Sequence, residues 1–466
     1  MQKLSSICNK YLFWWVILLF AFIPLYPKFP FVNVGGTYVA IRLEDCLIAV
    51  VTIIWFIAIL PNLKNLLSQT LTKTFLLFWA IGALSLFSGI FLTYTVTPHL
   101  GILHYLRRIE MMVLFFVAFY AFSNIKQVKL WLKCMFIVSL VIILYGFGQQ
   151  YLSFPVISTT NKEFSKGLIL FLSPEARVNS TFAGHYDLAA FLAFLLSIQT
   201  VFLLKARKKW NKLAFLFLGF LSFVLLALTA ARISFLAAIM GITLSLFLIG
   251  KKKLIFALFC LSLLAFIISP ELRHRTVATL TVNFLGGGGE KYVPPPQMPG
   301  STTKFSIENA ATGSATPSGV PIDIVPGEPL NTTELGVHRS FGIRLNEEWP
   351  RAIRAFGKNP MLGTGYSSIT IATDNDYLRS LGEVGILGTL SLMLIFLIII
   401  RKMFMFLRVS QYILFRLLIM GIFSGLLTIF VTSIFIDVLE SSKIAELLWL
   451  TLGVGLAAIK IENNES

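Results

Sequence analysis

Residues 211–249 read NKLAFLFLGFLSFVLLALTAARISFLAAIMGITLSLFLI. After Lys212, Arg232 is the only charged side chain in the stretch. Two apolar runs, 211–229 and 233–249, flank it. Each has the length of a membrane-crossing helix, about 17–25 residues. A helix satisfies its own backbone hydrogen bonds, which hydrocarbon requires. The turn between the runs is so short that they must face each other as an antiparallel pair. Arg232 then lies at or within the membrane boundary.

The same pattern repeats outward along the chain. Further apolar runs fall near 12–27, 38–60, 75–94, 109–122, 134–149, 186–204, 254–269, 378–400, 412–436 and 444–459. Together they predict an all-α polytopic membrane protein with about twelve transmembrane helices. The fourth run is short unless it begins earlier, at Leu103. Composition agrees. The chain has 466 residues, 56% of them apolar and 13% charged, and a mean hydropathy of +0.81. A soluble globular protein carries about 25% charged residues. A soluble fold, a largely disordered chain and a secreted disulfide scaffold are therefore excluded.

The net charge of +17 invites a nucleic-acid reading until the charges are located. One set of alternate loops, with the termini, holds nineteen Lys and Arg, including Lys205, Arg207, Lys208, Lys209, Lys251, Lys252, Lys253, Arg401 and Lys402. Only Glu462 and Glu465 oppose them there, and the remaining twenty basic and twenty acidic residues cancel. Short basic loops face the cytoplasm, which predicts both termini inside. The basicity sets topology and meets anionic lipid; no nucleic-acid partner is expected. Cys8, Cys46, Cys134 and Cys260 show no metal-ligand spacing and read as small apolar packing residues. The first apolar run reads as a retained span rather than a cleaved signal.

The chain divides into helices 1–5 (1–149), a first outer loop (150–185), helices 6–9 (186–270), a long outer loop (271–375) and helices 10–12 (376–466). About 285–336 is rich in Gly, Pro, Thr and Ser and reads as disordered. About 337–358 changes character. Phe341, Leu345, Trp349, Ile353 and Phe356 recur at helical spacing, with Arg344, Arg351 and Arg354 between them. That predicts amphipathic helices at the membrane surface, the second starting at Pro350. No internal repeat is evident.

Polar chemistry gathers on the outer side in a few segments. Arg177 to Ala190 reads R-V-N-S-T-F-A-G-H-Y-D-L-A-A and brings His185 and Asp187 to a span mouth. Thr229 to Ser234 reads T-A-A-R-I-S. Asn359 to Ser368 reads N-P-M-L-G-T-G-Y-S-S, either plain turn chemistry or a backbone nest for an anion at Gly363 and Gly365. Thr373 to Thr389 reads T-D-N-D-Y-L-R-S-L-G-E-V-G-I-L-G-T. Asn375 or Asp376 would cap the helix there, and Gly385 and Gly388 permit close helix approach. Arg42, Glu44, Asp45, Arg107, Arg108 and Glu110 read as ion pairs that fix packing.

Taken in order, R-I-S, an arginine ahead of W-P-R-A, P-M-L-G-T-G-Y and D-N-D-Y-L-R-S-L-G-E-V-G-I-L-G resemble the O-antigen ligase and polymerase superfamily over roughly Arg177 to Leu390. The resemblance implies a fold like the C-type glycosyltransferases. It implies transfer of a glycan from an undecaprenyl diphosphate carrier, at the outer face of the bacterial inner membrane, to a glycan, lipid or protein acceptor. It implies no metal, nucleotide or other cofactor. Residue by residue, it gives Arg232 and Arg344 as arginines of the site, with Arg339 or Arg351 as alternatives in register. The family's His-Asn pair falls on Asp374 and Asn375, so an aspartate stands where the family has histidine. Asp374, Arg232 and Arg344 are then the catalytic candidates. Arg177, His185, Asn375, Tyr377, Arg339, Arg351, Gly363 and Gly365 are the substrate-binding candidates.

Arginine suits a diphosphate because it stays charged and holds phosphate oxygens in a bidentate fork. One base and no second carboxylate nucleophile predict an inverting displacement. Asp374 and Asp376 also spell D-x-D, a metal-ligand pattern that arises easily by chance. A transporter would carry polar groups at the middle of its spans, and these spans are nearly free of charge there. An inactive relative that binds lipid-linked glycan is the third reading.

Overall fold

The computed structural model describes residues 2–27, 29–34, 40–156, 177–278, 344–369 and 373–465. The expected disordered stretch, the first part of the amphipathic region and Arg339 lie outside them. Within them the protein is an all-α bundle with one small β-hairpin. The long helices are α1 (Gln2–Leu25), α2 (Leu43–Ile59), α4 (Thr70–Phe91), α5 (Pro98–Ala121), α6 (Ile125–Tyr151), α7 (His185–Lys205), α8 (Lys209–Leu228), α9 (Arg232–Ile249), α10 (Leu254–Ile268), α13 (Asp376–Val409), α14 (Ile413–Thr432) and α15 (Ser442–Glu465). Short helices α3 (Leu63–Ser68), α11 (Pro270–Ala278) and α12 (Trp349–Lys358) lie between them. Among the described residues, ten helices are long and apolar enough to cross a membrane. The apolar α10 is shorter, and α5 carries Arg107, Arg108 and Glu110.

Helix boundaries follow local chemistry. Pro98 opens α5, where a missing amide costs nothing. Asn124 caps α6 by accepting from the Gln127 amide at 3.0 Å. Gly250 ends α9 in the left-handed conformation, φ +83°. The second apolar run begins later than its hydropathy suggests. Ala40–Arg42 is a strand paired antiparallel with Pro30–Asn33, and α2 starts only after it.

α15 is the most enclosed of the spanning helices and packs on α5, while α14 packs on α7 and α9. Large apolar side chains also cover the outside, among them Trp14, Ile53, Phe87, Ile137, Phe217 and Phe256. A water-facing surface does not carry so continuous an apolar cover; a lipid-facing one requires it. The protein is therefore a multi-pass membrane protein.

One end of the bundle is tied by polar contacts. Lys443, fully buried, donates to the carbonyls of Tyr26 (2.6 Å) and Thr181 (2.7 Å). At the opposite end Glu462 accepts from Ser410 Oγ (2.9 Å) and the Gln411 amide (2.7 Å), where α13 turns into α14. Of the charged residues expected to pair, Arg42 lies 3.7 Å from Glu44 in its own cluster, one pair crosses between the clusters and one reaches outside both. Arg107 lies 3.6 Å from Asp45, and Arg108 pairs with Glu440.

The two glycine-rich motifs interlock. α13 breaks at Gly385, whose φ of +65° is left-handed. The break releases the carbonyls of Gly382 and Glu383, which accept from the Thr364 and Gly365 amides at 2.9 Å each. Beyond it the Ile386 and Leu387 amides donate to Pro360 (2.9 Å) and Met361 (3.2 Å). Backbone polar groups in hydrocarbon need such partners. The turn at 360–365 supplies them and brings chain segments into backbone contact that only glycine permits.

Candidate functional site

The end of the bundle tied by Lys443 holds a small cleft. Tyr186, Ala230, Arg232, Ile233, Arg344, Phe435 and Ile436 line it. Three stretches that line it, and a fourth that reaches it through Arg344, build the site.

The first is the entry to α7. Gln149 clamps the turn before it, accepting from the Ser180 amide at 2.7 Å and donating to the Ser180 carbonyl at 3.0 Å. Arg177 Nη1 then meets His185 Nε2 at 2.5 Å, and its guanidinium lies 5.8 Å from the centre of the Tyr186 ring. The second is the junction of α8 and α9. Only residues 229–231 separate the helices, so Arg232 starts α9 directly beside the cleft. The third is the turn Arg344–Glu348, which runs into α12. Arg344 is buried, and its Nη2 donates to Asp374 Oδ2 at 2.5 Å.

The fourth stretch is the approach to α13. Asp437 holds the backbone on both sides of Asp374: its Oδ2 accepts from the Thr373 amide at 3.0 Å and its Oδ1 from the Asn375 amide at 2.9 Å. Arg379 donates to Asp437 Oδ2 at 3.0 Å and completes the clamp. Asp374 is thereby fixed between two tethered neighbours, with φ +49°. Ser180 (φ +50°) and Ala230 (φ +52°) adopt the same left-handed conformation in two of the other stretches. Non-glycine residues there are strained, and such strain collects at functional sites.

Arg232 and Arg344 line the cleft, Arg344 pairs with Asp374, and Arg177 lies beside the cleft residue Tyr186. Burial raises the Asp374 carboxyl above the ordinary carboxylate range, and Asp437 acts in the same direction against the pull of Arg344. Its side chain remains 28% exposed. Arg351 is buried on α12 and reaches the site by its charge, beside Glu348.

Other expected site residues serve the fold. Asn375 caps α13, its Oδ1 accepting from the Leu378 amide at 2.9 Å. Tyr377 donates its hydroxyl to the Phe430 carbonyl at 2.9 Å. The Gly363 amide donates to Asn359 (2.7 Å) and the Gly365 amide to Glu383 (2.9 Å). The reading of these glycines as an anion nest is corrected: both amides are spent inside the interlocked turn. The D-x-D pair also separates. Asp376 accepts from the Leu439 amide (3.0 and 3.2 Å), while Asp374 faces Arg344. The amphipathic region turns its charged side inward: Arg351, Ala352 and Ala355 are buried, while Leu345 and Ile353 are exposed.

Sequence reading missed two carboxylates. Glu348 is buried, and its carboxyl is pushed up to about 8 by burial and by the nearby Asp374 charge. Its spacing four residues after Arg344 was the visible signal. Asp437 stands alone in an apolar stretch, and nothing local marks it as the clamp on Thr373 and Asn375. Comparison with known family models and with curated protein sequences finds no match for the chain. The meaning of the site rests on its own residues.

Proposed function

We propose that the protein is an integral membrane glycosyltransferase. It moves a glycan from an undecaprenyl diphosphate carrier to an acceptor hydroxyl, as an O-antigen ligase or polymerase does. The proposal includes twelve spans, both termini in the cytoplasm, and the cleft opening at the outer face of a bacterial inner membrane. The observation that supports it is the placing of Arg232 and Arg344 on one cleft, with Asp374 paired to Arg344 and Arg177 beside the cleft residue Tyr186.

The chemistry follows from that set. The carrier diphosphate enters beside Arg232 and Arg344, whose charge is fixed before the reaction. Arg344 then divides its donors between phosphate oxygen and Asp374, which loosens its hold on the carboxylate. Asp374 takes the proton of the acceptor hydroxyl. The acceptor oxygen bonds to the anomeric carbon from the side opposite the phosphate, and the carbon–oxygen bond to the diphosphate breaks. Its electron pair leaves with the carrier, whose growing negative charge the arginines neutralise. The configuration inverts. Removing one such donor costs about 10²–10³ in rate. These residues supply acid–base and electrostatic roles without calling on a nucleotide or metal at the cleft.

The test is to supply the purified protein with undecaprenyl diphosphate-linked glycan and an acceptor, and to measure freed carrier and joined product. Product formation that depends on Arg232 and Asp374 supports the reading. Glycan binding without carrier release would make the protein a binder instead.

A further inference from the structure

A second group of charged residues lies apart from the cleft, where the first turn of α2 meets α5 and α15. Glu44 and Asp45 occupy that first turn, and Glu446 stands near the start of α15. One carboxylate oxygen from each lies within 4.8 Å of the others. Glu44 is 0% exposed and Glu446 1%. Among the described residues, neither oxygen of Glu44 has a hydrogen-bond donor, and the same holds for Glu446 Oε2 and Asp45 Oδ1.

Helix capping does not account for these atoms. It uses Asp45 Oδ2 alone, which accepts from the Arg42 amide at 2.9 Å. The nearby guanidinium groups form ion pairs with them but donate no hydrogen bond to these atoms. Arg42 Nη1 stays 3.7 Å from Glu44 Oε1 and donates to Ser442 Oγ at 3.2 Å. Arg107 Nη2 stays 3.6 Å from Asp45 Oδ1. Glu110 adds its charge to the group. Four carboxyl groups thus share two guanidinium groups, and a buried carboxylate oxygen that accepts no hydrogen bond is unfavourable.

We infer that Glu44, Asp45 and Glu446 bind a calcium ion that joins α2 to α15. An all-carboxylate oxygen set suits a hard divalent cation, and calcium, bound at about 2.3–2.6 Å in flexible geometry, accepts ligands that are not preset to the octahedron magnesium demands. The bound ion fixes the α2 turn against α15 and α5. Through Arg108, which donates to the Leu439 carbonyl at 2.9 Å and pairs with Glu440, α5 also holds the segment that carries Asp437. The inference does not rest on the transferase reading. Calcium binding by a protein that transfers no glycan would leave it intact.

The test uses the full chain in detergent micelles, stripped of metal with a chelator and exchanged into metal-free buffer. Thermal unfolding is followed as calcium chloride is added, with magnesium chloride in parallel, and bound calcium is counted by equilibrium dialysis. The expected result is a saturable rise in Tm, a smaller response to magnesium, and one calcium per chain. The Glu44→Gln/Glu446→Gln double variant, which keeps side-chain shape, should lose both the shift and the bound ion. Should the double variant not fold, Glu446→Gln alone is expected to weaken calcium binding at least tenfold. A wild-type protein that neither binds calcium nor changes Tm would overturn the inference, and the carboxylates would then hold protons. An undiminished calcium response in the variants would overturn it equally.

Discussion

Asp374→Asn isolates the proposed base with little disturbance of its surroundings. Asparagine is among the residues that best tolerate the left-handed conformation, so the φ of +49° is retained. The amides of Thr373 and Asn375 still bind Asp437. What is lost is the negative charge facing Arg344. Because Arg344 is buried while the Asp374 side chain is 28% exposed, the stability cost should fall between that of a surface pair, about 1 kcal/mol, and that of a broken buried pair, about 3–5 kcal/mol. The kinetic cost is read separately. Loss of a positioned general base removes about 10²–10⁴ in rate. Asp376→Asn is the matched control: its remaining oxygen still accepts from the Leu439 amide, so turnover should change far less. The assay is glycan transfer by purified protein in lipid nanodiscs at saturating donor, with Tm measured on the same samples. Equal and small losses in the two variants would refute Asp374 as the base.

Arg232→Ala should slow transfer about a hundredfold or more while insertion and expression persist, measured by product formation and by membrane yield; wild-type turnover would remove the diphosphate clamp. Glu348 gives a pH-dependent stability. Its folded carboxyl sits at about 8, above its ordinary 4.5, so between those values the folded state keeps a proton that the unfolded state releases. Its stabilising contribution is therefore full below about 4.5 and lost as pH rises through about 8. Glu348→Gln should flatten this part of the Tm profile between pH 5 and pH 8.5, on the order of the shift in carboxyl strength; an unchanged profile would count against it. Gly385→Ala should cost about 2–5 kcal/mol from left-handed strain and overpacking. An added Cβ there would sit 2.5 Å from the Met361 carbonyl carbon and 2.6 Å from the Gly363 nitrogen. A variant that unfolds at the wild-type temperature would contradict the interlock.

The bundle was legible because membrane spans are written locally. An apolar run such as 211–229 needs no distant partner to declare itself, and the structure gives α8 as Lys209–Leu228. Short-range chemistry was also legible: Pro350 near the start of α12 and Asn375 as the cap of α13 both follow from neighbours in sequence. The strand at Ala40–Arg42 was not, because β-pairing with Pro30–Asn33 can hide inside a hydrophobic run. In the site, Arg232 was conspicuous as a lone charge between two apolar runs. Glu348 and Asp437 were not, because their roles depend on a backbone more than sixty residues away or on burial by other helices. The glycine motifs misled for a related reason. Gly363 and Gly365 looked like half of an anion site, but the partner of their amides lies in the broken helix at Gly382–Gly385.

The most direct trial of the account is the release of undecaprenyl diphosphate from its glycan by the purified protein, followed by mass spectrometry of carrier and product. The account predicts free carrier and acceptor-linked glycan of inverted configuration in wild type, with both formed about a hundredfold or more slowly in Arg232→Ala and in Asp374→Asn. Carrier release at the wild-type rate in both variants, or none at all from a folded wild-type protein given donor and acceptor, would contradict it.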